Sequence, residues 1–424
     1  MVEARTRPAW VDVDLAAIGH NTSLLARHVA PAALCAVVKA DGYGHGAVPV
    51  ARAALGGGAA GLAVAVVDEG EELRTAGVDA PVLVLSEPPA AAMDAAVAAR
   101  LTVTVSSSAG IAALGAAARR AGRQVPVHAA LDTGMHREGV SPELLPELVG
   151  EIGRERALRL EGVWTHLAVA DRLGAEDDAW SAGQLERFDE AVAALAERPP
   201  VLHAANTAAA LRWPAARLDM VRCGIGLYGL SPSAALAGVA DGVGDDGAAR
   251  ALGALRPALA LRAKVSAVRE LDAGARPSYG RLRPLGERGV VATVPLGYAD
   301  GVRRALFSGG GEVLIGGRRR PLAGMVSMDQ LVVDCADDTT VAPGDEVVLI
   351  GRQGDETISV AQWAARTGTI DYEVVCGIGP RVPRTYAGEV RHGTSGRKGT
   401  SGRKGTSGRN GTSGRKGTSR WSRP

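Results

Sequence analysis

Short apolar runs alternate with alanine-rich helical stretches through the first 230 residues of the chain. The runs have the length of buried strands and lie near residues 34–38, 61–67, 82–86, 101–105, 125–131, 159–166, 201–204 and 219–222. Helical patterns between them include residues 47–55, 68–76, 90–100, 108–121 and 176–197. Eight such units predict parallel strands with crossover helices, and therefore an α/β fold built on a (β/α)8, TIM-like barrel. A doubly wound open sheet is the alternative.

The pattern changes after residue 230. Residues 231–254 are rich in Gly, Ala, Ser and Asp, which is typical of a linker. Short β-prone runs separated by Gly, Pro and Asp follow at 259–268, 289–295, 331–335 and 346–350. Residues 10–14 alternate apolar and polar side chains, as a half-buried strand does. We predict four segments: an N-terminal strand that joins the second domain (1–12), the barrel (13–240), a mostly-β domain (241–388) and a tail (389–424).

The predicted tail is basic and repetitive. It repeats Gly-Thr-Ser-Gly-Arg-Lys from Gly393, and residues 393–424 carry nine Lys or Arg and no acidic residue. The repeat lacks apolar residues to bury, which predicts a disordered and dispensable extension, with weak polyanion binding as the alternative. Subtracting these nine charges from the net charge of +2 leaves about −7 for the rest. That charge argues against a nucleic-acid-binding surface.

Composition narrows the class of protein. The 424 residues are 46% hydrophobic, enough for two domains with large cores. No apolar run approaches the length of a membrane span, and the N-terminus has no apolar signal region. The four cysteines form no CxxC pair. These features predict a cytoplasmic protein without a membrane segment, a disulfide framework or a metal site.

Lysine is rare in the body of the chain. Lys39 and Lys264 are the only lysines before residue 390, where arginine otherwise supplies the cations. Lys39 ends an apolar run and opens the glycine-rich segment 40–46. Lysine can lose its proton and attack a carbonyl, whereas guanidinium cannot. A lysine at the tip of a buried strand, before a flexible loop, suits a Schiff base. The alternative is an ammonium group that merely extends to solvent.

Other candidate residues follow the predicted carboxyl ends of the barrel strands, where barrel active sites lie. They are Tyr43 after the first strand, Asp132, Met135 and Arg137 after the fifth, His166 at the end of the sixth, His203, Asn206 and Thr207 after the seventh, and Arg222, Gly224 and Ile225 after the eighth. Hydroxyl and backbone N–H groups after the last two strands predict an anion site. A lysine and a phosphate site on one rim predict pyridoxal 5′-phosphate (PLP) as cofactor.

These residues lie in motifs that resemble bacterial alanine racemase, a PLP-dependent family. The segment 36–46, Ala-Val-Val-Lys-Ala-Asp-Gly-Tyr-Gly-His-Gly, is similar to its PLP-attachment motif. Matching motifs follow in family order at 132–137, 165–166, 205–207, 222–225, 278–280, 297–301, 328–329 and 371–373. The resemblance covers about residues 8–386 and implies racemisation of alanine, which supplies D-alanine for peptidoglycan.

The resemblance also implies roles for individual residues. Lys39 would hold PLP and act as the base towards D-alanine, and the partner subunit's Tyr279 would act on the opposite face of a shared site in a homodimer. Arg222 would face the pyridine nitrogen and keep it unprotonated. His166 and His203 would orient Arg222 or the ring, or serve as structural histidines. The remaining implied contacts are Tyr43, Asn206, Thr207, Gly224, Ile225 and Tyr372 for the cofactor, Arg137 and the Met328 N–H for the substrate carboxylate, and Tyr298 for the access route.

Two positions depart from the family pattern. Ala130 stands where many members carry a carbamylated lysine, so Arg137 lacks its anionic partner, and we expect chloride or an acidic side chain instead. Trp164 stands where tyrosine is common. The main rival function is a racemase for serine or other small amino acids. A single-barrel PLP-binding protein would lack the second domain, a basic amino-acid decarboxylase would need an acidic pyridine partner, and a non-enzymatic role would leave this set of residues unused.

Overall fold

The computed structural model describes residues 7–240, 247–388 and Trp421. Strand β1 (Ala9–Asp14) and helix α1 (Leu15–His28) come first, and Asp14 caps the helix by accepting the Ala17 N–H. Eight short strands then follow: β2 (Ala33–Val37), β3 (Gly61–Val64), β4 (Val82–Val84), β5 (Thr102–Val105), β6 (Val125–Ala130), β7 (Leu158–Trp164), β8 (Val201–His203) and β9 (Met220–Cys223).

These eight strands form one parallel sheet in the order β8-β7-β6-β5-β4-β3-β2-β9. Its two ends meet where the Asp219 N–H donates to the Leu202 carbonyl (3.1 Å) and the Arg222 N–H donates to the Ala205 carbonyl (2.9 Å). The sheet is therefore a nearly closed barrel, which confirms the predicted fold and rules out the open sheet. Burial on both faces explains why each strand is an almost uninterrupted apolar run.

Helices connect the strands on the outside of the barrel, as predicted. Together with α1, the helices of this half of the chain are α2 (Lys39–Tyr43), α3 (Ala47–Gly56), α4 (Val67–Thr75), α5 (Met93–Ala98), α6 (Ser108–Arg120), α7 (Leu145–Arg154), α8 (Ala175–Ala193), α9 (Thr207–Arg212), α10 (Ala234–Ala240) and α11 (Gly247–Gly253). Single 3₁₀ turns lie at Ala90–Ala92, Pro142–Leu144, Pro214–Arg217 and Ile225–Tyr228. The expected linker thus contains two short helices, which its alanine content favours.

The second half of the chain is mostly β, as predicted. Its strands are β10 (Leu259–Lys264), β11 (Ala267–Leu271), β12 (Gly289–Val294), β13 (Glu312–Ile315), β14 (Arg318–Pro321), β15 (Leu331–Asp334), β16 (Glu346–Gln353), β17 (Glu356–Ile358) and β18 (Arg384–Ala387). Its helices are α12 (Ala305–Ser308), α13 (Val360–Thr367) and α14 (Asp371–Cys376), with a 3₁₀ turn at Tyr298–Asp300. One sheet has the order β14-β13-β16-β10-β1-β18, with β17 beside β16, and a second has the order β11-β12-β15.

Strand β1 lies inside the larger sheet of the second half. It pairs antiparallel with β10 and parallel with β18. One apolar core continues through both halves of the chain. Of the predicted disordered tail, only Trp421 lies within the described residues, and its side chain is 2% exposed. Within the described part of the chain, no helix is long and apolar enough to cross a membrane.

Candidate active site

A cavity of about 600 Å³ opens at the carboxyl ends of the barrel strands. This is the end at which barrel loops build active sites. Ten of the predicted site residues line this cavity: Lys39, Tyr43, Arg137, His166, Asn206, Thr207, Arg222, Gly224, Ile225 and Tyr372. His203 lies behind Arg222, and Tyr279, Tyr298 and Met328 lie on the exposed surface of the second domain.

Lys39 is followed by a turn of left-handed helix. Ala40, Asp41, Gly42 and Tyr43 have φ values of 52°, 52°, 59° and 53°. Left-handed conformation costs an L-residue roughly 1–2 kcal/mol, so the surrounding structure must hold this turn in place. Glu69 does so by accepting the Ala40 N–H (2.6 Å) and the Ala65 N–H (2.7 Å). The turn fixes the direction in which Lys39 leaves strand β2.

The glycine-rich segment after Lys39 is packed against the second domain. A Cβ atom on Gly44 would lie 2.3 Å from the Val375 carbonyl oxygen, and one on Gly46 would lie 2.1 Å from the Tyr386 hydroxyl. The Arg384 guanidinium donates to the Gly44 carbonyl over 2.9 Å. The expectation of a flexible loop is therefore wrong, because these glycines allow close packing rather than motion.

Burial and charge favour the neutral form of the Lys39 amine. Burial is the main cause that lowers the pKa of Lys39, and the positive charges of Arg137 and Arg222 lower it further. Glu69 and Cys376 act in the opposite direction. A lysine amine attacks a carbonyl or accepts a proton only in its neutral form, so a lowered pKa suits Lys39 to either role.

Arg222 is buried at the base of the cavity, and both of its Nη atoms donate hydrogen bonds to protein groups. One Nη atom donates to His203 Nδ1 (2.8 Å), and the other donates to the Thr165 carbonyl (2.9 Å) and His166 Nδ1 (3.3 Å). Its guanidinium also lies 4.8 Å from the centre of the Trp164 ring. Among the described residues, no carboxylate accepts a hydrogen bond from Arg222. Burial lowers the pKa of Arg222 to about 10, and the group remains a cation at neutral pH.

Both histidines beside Arg222 are neutral. Burial and the charge of Arg222 lower the pKa of His166 to about 3 and hold the pKa of His203 well below its usual range. Because guanidinium only donates, Nδ1 of each ring must be the acceptor. The two histidines thus orient Arg222 and carry no charge themselves. The Trp164 ring stacks against the His203 ring, with ring centres 5.9 Å apart.

The candidate anion site lies between the last two strands and the left-handed turn. The Gly224 N–H donates to Thr207 Oγ1 over 3.0 Å, so it is not the free donor that the sequence suggested. The Asn206 side chain accepts the Ala209 N–H and caps α9. The rings of Tyr43 and Tyr372 lie 6.1 Å apart, and burial raises the pKa of both phenols. These phenols stay protonated and can donate to an anion.

Sequence reasoning did not identify three residues that support this site. Tyr228 stacks on Tyr43 at 4.7 Å and donates to the Val37 carbonyl. His45 Nδ1 donates to the Tyr43 carbonyl, and burial lowers the pKa of His45 to about 4. Glu69 braces the Lys39 turn. The rarity of tyrosine was the available signal for Tyr228, whereas nothing in the sequence distinguishes Glu69 from other acids in a first helical turn.

Arg137 is carried by a loop that Asp132 organises. Asp132 Oδ1 accepts the N–H groups of Gly134 (2.9 Å), Met135 (3.0 Å) and His136 (3.0 Å). Arg137 is exposed in the single chain. Within the described residues Arg137 makes no ion pair, and the expected acidic partner is not found.

Ala130 and Trp164 occupy paired positions on neighbouring strands. Residue 130 of β6 is the register partner of residue 164 of β7, and both side chains are buried. Register partners lie on the same face of a sheet, so the small methyl group stands beside the large indole.

Three predicted site residues lie together on the outer surface of the second domain. Tyr279, Tyr298 and Met328 are 68%, 41% and 53% exposed. Tyr279 forms a β-bridge with Met325, and the Ala299 N–H donates to the Met328 carbonyl over 3.0 Å. The fold brings these residues to one surface but not into the cavity of their own chain.

Comparison with known proteins identifies the family. Residues 13–232 match the family model described as alanine racemase, N-terminal domain, and residues 258–386 match alanine racemase, C-terminal domain. The protein named alanine racemase from Symbiobacterium thermophilum is 44% identical over 386 residues, which cover 90% of this chain and 98% of that protein.

Solved structures agree with this assignment. Alanine racemase from Streptomyces coelicolor A3(2) superposes with a TM-score of 0.81 at 39% identity, covering 90% of this chain and 98% of that one. Histidine racemase from Leuconostoc mesenteroides subsp. sake gives a TM-score of 0.79 at 28% identity, covering 91% and 99%. With both domains matched along nearly the whole length of its relatives, the chain belongs to the alanine racemase family.

Proposed function

We propose that this protein is a PLP-dependent racemase that interconverts L-alanine and D-alanine. The observation that carries the proposal is the Lys39 amine, whose pKa is lowered, in a cavity with the buried cation Arg222 at its base. We further propose that the reaction takes place in the cytoplasm and supplies D-alanine for peptidoglycan.

The residues of the cavity fit PLP. Lys39 would bind the aldehyde carbon, and Tyr43, Tyr372, Thr207, Asn206 and the backbone at Gly224–Ile225 would hold the phosphate at the start of the 3₁₀ turn. A Cβ on Gly224 would lie 2.3 Å from the Tyr43 hydroxyl, so only glycine leaves room for that phenol there. When bound, PLP withdraws electrons from the substrate α-carbon and so makes its proton removable.

Arg222 sets the electronic character of the site. A cation that is held by two neutral histidines and carbonyl groups cannot accept a proton from the ring nitrogen. With PLP bound, Arg222 would donate to that nitrogen and leave it unprotonated. We propose that this limits the delocalisation of negative charge into the ring and suppresses transamination.

Inversion at the α-carbon needs a base on each face. Lys39 Nζ takes the proton from D-alanine, and the partner subunit's Tyr279 takes it from L-alanine. The exposure of Tyr279, Tyr298 and Met328 supports this arrangement, because a second chain that covers this surface can carry them to the cavity. We therefore propose a homodimer with shared sites, in which Arg137 and the Met328 N–H of the partner hold the substrate carboxylate.

The second candidate is a racemase with a different or wider substrate range. Trp164 lines the cavity together with Arg137, and Ala130 is its register partner on the neighbouring strand. A histidine racemase shares this fold at 28% identity. The first experiment measures kcat/KM of the PLP-loaded protein for L-alanine, L-serine and L-histidine in one assay. Strong preference for alanine supports the proposal, and preference for serine or histidine contradicts the substrate assignment.

A second experiment tests the shared site. Lys39→Ala and Tyr279→Phe homodimers are each expected to lose about 10³-fold or more in kcat. If each site uses Lys39 from one subunit and Tyr279 from the other, mixing the two variants restores activity, because one site of each hybrid dimer is intact. Mixtures that stay inactive despite confirmed subunit exchange contradict the shared site.

A further inference from the structure

Trp421 lies at the amino-terminal end of the barrel, far along the sequence from its neighbours. Its side chain is 2% exposed, and its indole N–H donates to Glu161 Oε2 over 3.0 Å. The indole ring also meets the His128 ring with centres 6.0 Å apart at 60°, a geometry that aromatic pairs favour. Gly61 opens strand β3 beside it, and a Cβ there would lie 2.2 Å from Trp421 Cζ3. The floor of the barrel thus has a space that an indole fills.

Glu161 explains why this position needs a hydrogen-bond donor. Its carboxylate is buried inside the barrel, with its side chain 1% exposed. Arg159 donates to Oε1 over 3.0 Å, whereas His128 Nε2 lies 3.7 Å from Oε2, beyond hydrogen-bond distance. Burial alone would raise the pKa of Glu161, but the facing His128 and Arg159 hold it below its usual range. A buried, ionised oxygen is costly unless a donor satisfies it, and Trp421 is that donor at Oε2.

Glu161 also ends a buried series of polar groups that begins at Arg222. Arg222 donates to His203 Nδ1 (2.8 Å), and His203 Nε2 lies 2.8 Å from His128 Nδ1. Because Arg222 can only donate, Nδ1 of His203 is an acceptor and the ring carries its proton on Nε2. His203 Nε2–H therefore donates to His128 Nδ1. His128 then carries its proton on Nε2, which faces Glu161. Each ring in the series has one consistent orientation, and the last N–H points towards Glu161 Oε2 at 3.7 Å, so the carboxylate acts on His128 through its charge and not through a hydrogen bond.

We propose that the floor of the barrel is an indole-binding site occupied by Trp421 of the same chain, and that Trp421 acts as a positioning residue for Arg222 through Glu161, His128 and His203. The residue lies beyond the matched family domains, which end at residue 386. The 32 residues between Gly388 and Trp421 can span at most roughly 110 Å, so chain length permits docking within one molecule. The tail then has an anchored end instead of being dispensable.

The docking is tested with full-length Trp421→Ala and Trp421→Phe variants. Trp421→Ala removes the ring and is expected to lower Tm by about 2–4 °C or more. Trp421→Phe keeps part of the packing, so its Tm should lie between those of wild type and Trp421→Ala. The fluorescence lost in Trp421→Phe reports Trp421 alone, and acrylamide should hardly quench it. Trp180→Ala is the matched control, because that indole is 46% exposed and its loss should leave Tm almost unchanged. An unchanged Tm in Trp421→Ala, or full quenching of Trp421, overturns the proposal.

A peptide of residues 411–424 gives an independent measurement. Added to full-length Trp421→Ala, it should restore Tm, and the same peptide with alanine at 421 should not. Docking within one chain predicts that the Tm difference between wild type and Trp421→Ala is independent of protein concentration. A difference that grows with concentration assigns Trp421 to a second copy and overturns the same-chain site.

The link to Arg222 needs a readout that packing alone would not change. Long-range ¹⁵N spectra of histidine-labelled protein report which ring nitrogen carries the proton. Wild type should show His128 and His203 protonated on Nε2, and Trp421→Phe should shift the signals of His203, which contacts Arg222, as well as those of His128, while the His20 signal stays fixed. Unchanged His128 and His203 signals in Trp421→Phe would refute the positioning role.

Discussion

The guanidinium of Arg222 donates to Nδ1 of His203 across 2.8 Å, so the cation at the base of the cavity is held by a neutral ring. Thr165 and Ala204 add carbonyl acceptors at 2.9 and 3.2 Å. This set of acceptors stabilises the guanidinium without neutralising it. With PLP bound as proposed, Arg222 would present a fixed positive charge where many PLP enzymes place a carboxylate.

Replacing Arg222 by Glu should convert the site towards transamination. A carboxylate would hold a proton on the ring nitrogen, so pyruvate formation per racemisation event is expected to rise on the order of tenfold or more. Racemisation itself should fall about 10²-fold. Both rates are measured on the same PLP-loaded preparation. A pyruvate yield that does not increase in Arg222→Glu would contradict the proposed role of Arg222.

Acid should destabilise the fold through its buried histidines. The pKa of His166 is about 3 in the folded chain and about 6.5 when unfolded, so the unfolded state binds the extra proton as pH falls through that window. Stability is lost below about pH 6.5, by up to about 1.4 kcal/mol per pH unit for one histidine. Urea unfolding of wild type and His166→Asn between pH 7 and 4 measures the difference. If the free energy of unfolding depends on pH in the same way for both proteins, the predicted contribution of His166 is contradicted.

Removing Asp132 should weaken substrate binding more than turnover. Its carboxylate holds three consecutive N–H groups of the loop that carries Arg137. Asp132→Ala is expected to raise KM for alanine about tenfold, a loss of about 1.4 kcal/mol, with a smaller effect on kcat. Asp94→Ala, which removes an exposed ion pair with Arg120, is the control. Equal KM values in wild type and Asp132→Ala would show that the loop needs no such support.

Binding of the substrate carboxylate should depend on small anions. Ala130 offers no charge to Arg137, and no acidic side chain in the described residues pairs with it. Exchanging chloride for gluconate is expected to raise KM for alanine about tenfold, since an unpaired guanidinium is less well oriented. The decisive observation is a crystal structure of the holoenzyme. A structure with neither an anion nor an acidic group beside Arg137 would contradict the predicted anion dependence.

The close approach of Gly44 to Val375 should make that glycine irreplaceable. Gly44→Ala combines a φ of +76° with a Cβ placed 2.3 Å from the Val375 carbonyl, and should cost about 3 kcal/mol or more. Gly58→Ala is the matched control, because Gly58 has a φ of +99° and no atom within 4 Å of the added Cβ. Denaturant unfolding compares the two variants, and equal losses would show that contact with the second domain is unimportant.

The sequence by itself determined the barrel, the β-rich second domain and most of the cavity lining. Strands buried on both faces must be apolar, so β2 to β9 were visible as runs, and the carboxyl ends of parallel strands meet on one rim. That geometry is enough to bring Lys39, His166 and Arg222 together from the sequence alone. The family motifs added Tyr279, Tyr298 and Met328, which no local pattern distinguishes.

Only the tertiary structure decided the features that depend on contacts between distant residues. The left-handed turn after Lys39 exists because Glu69 and the second domain hold it, and the glycines appeared flexible until their neighbours were known. The exposure of Arg137 and the engagement of the Gly224 N–H likewise depend on how loops pack. Trp421 shows the same limit most clearly. A single tryptophan in a polar tail predicts nothing until a buried carboxylate 260 residues away is found to accept its N–H.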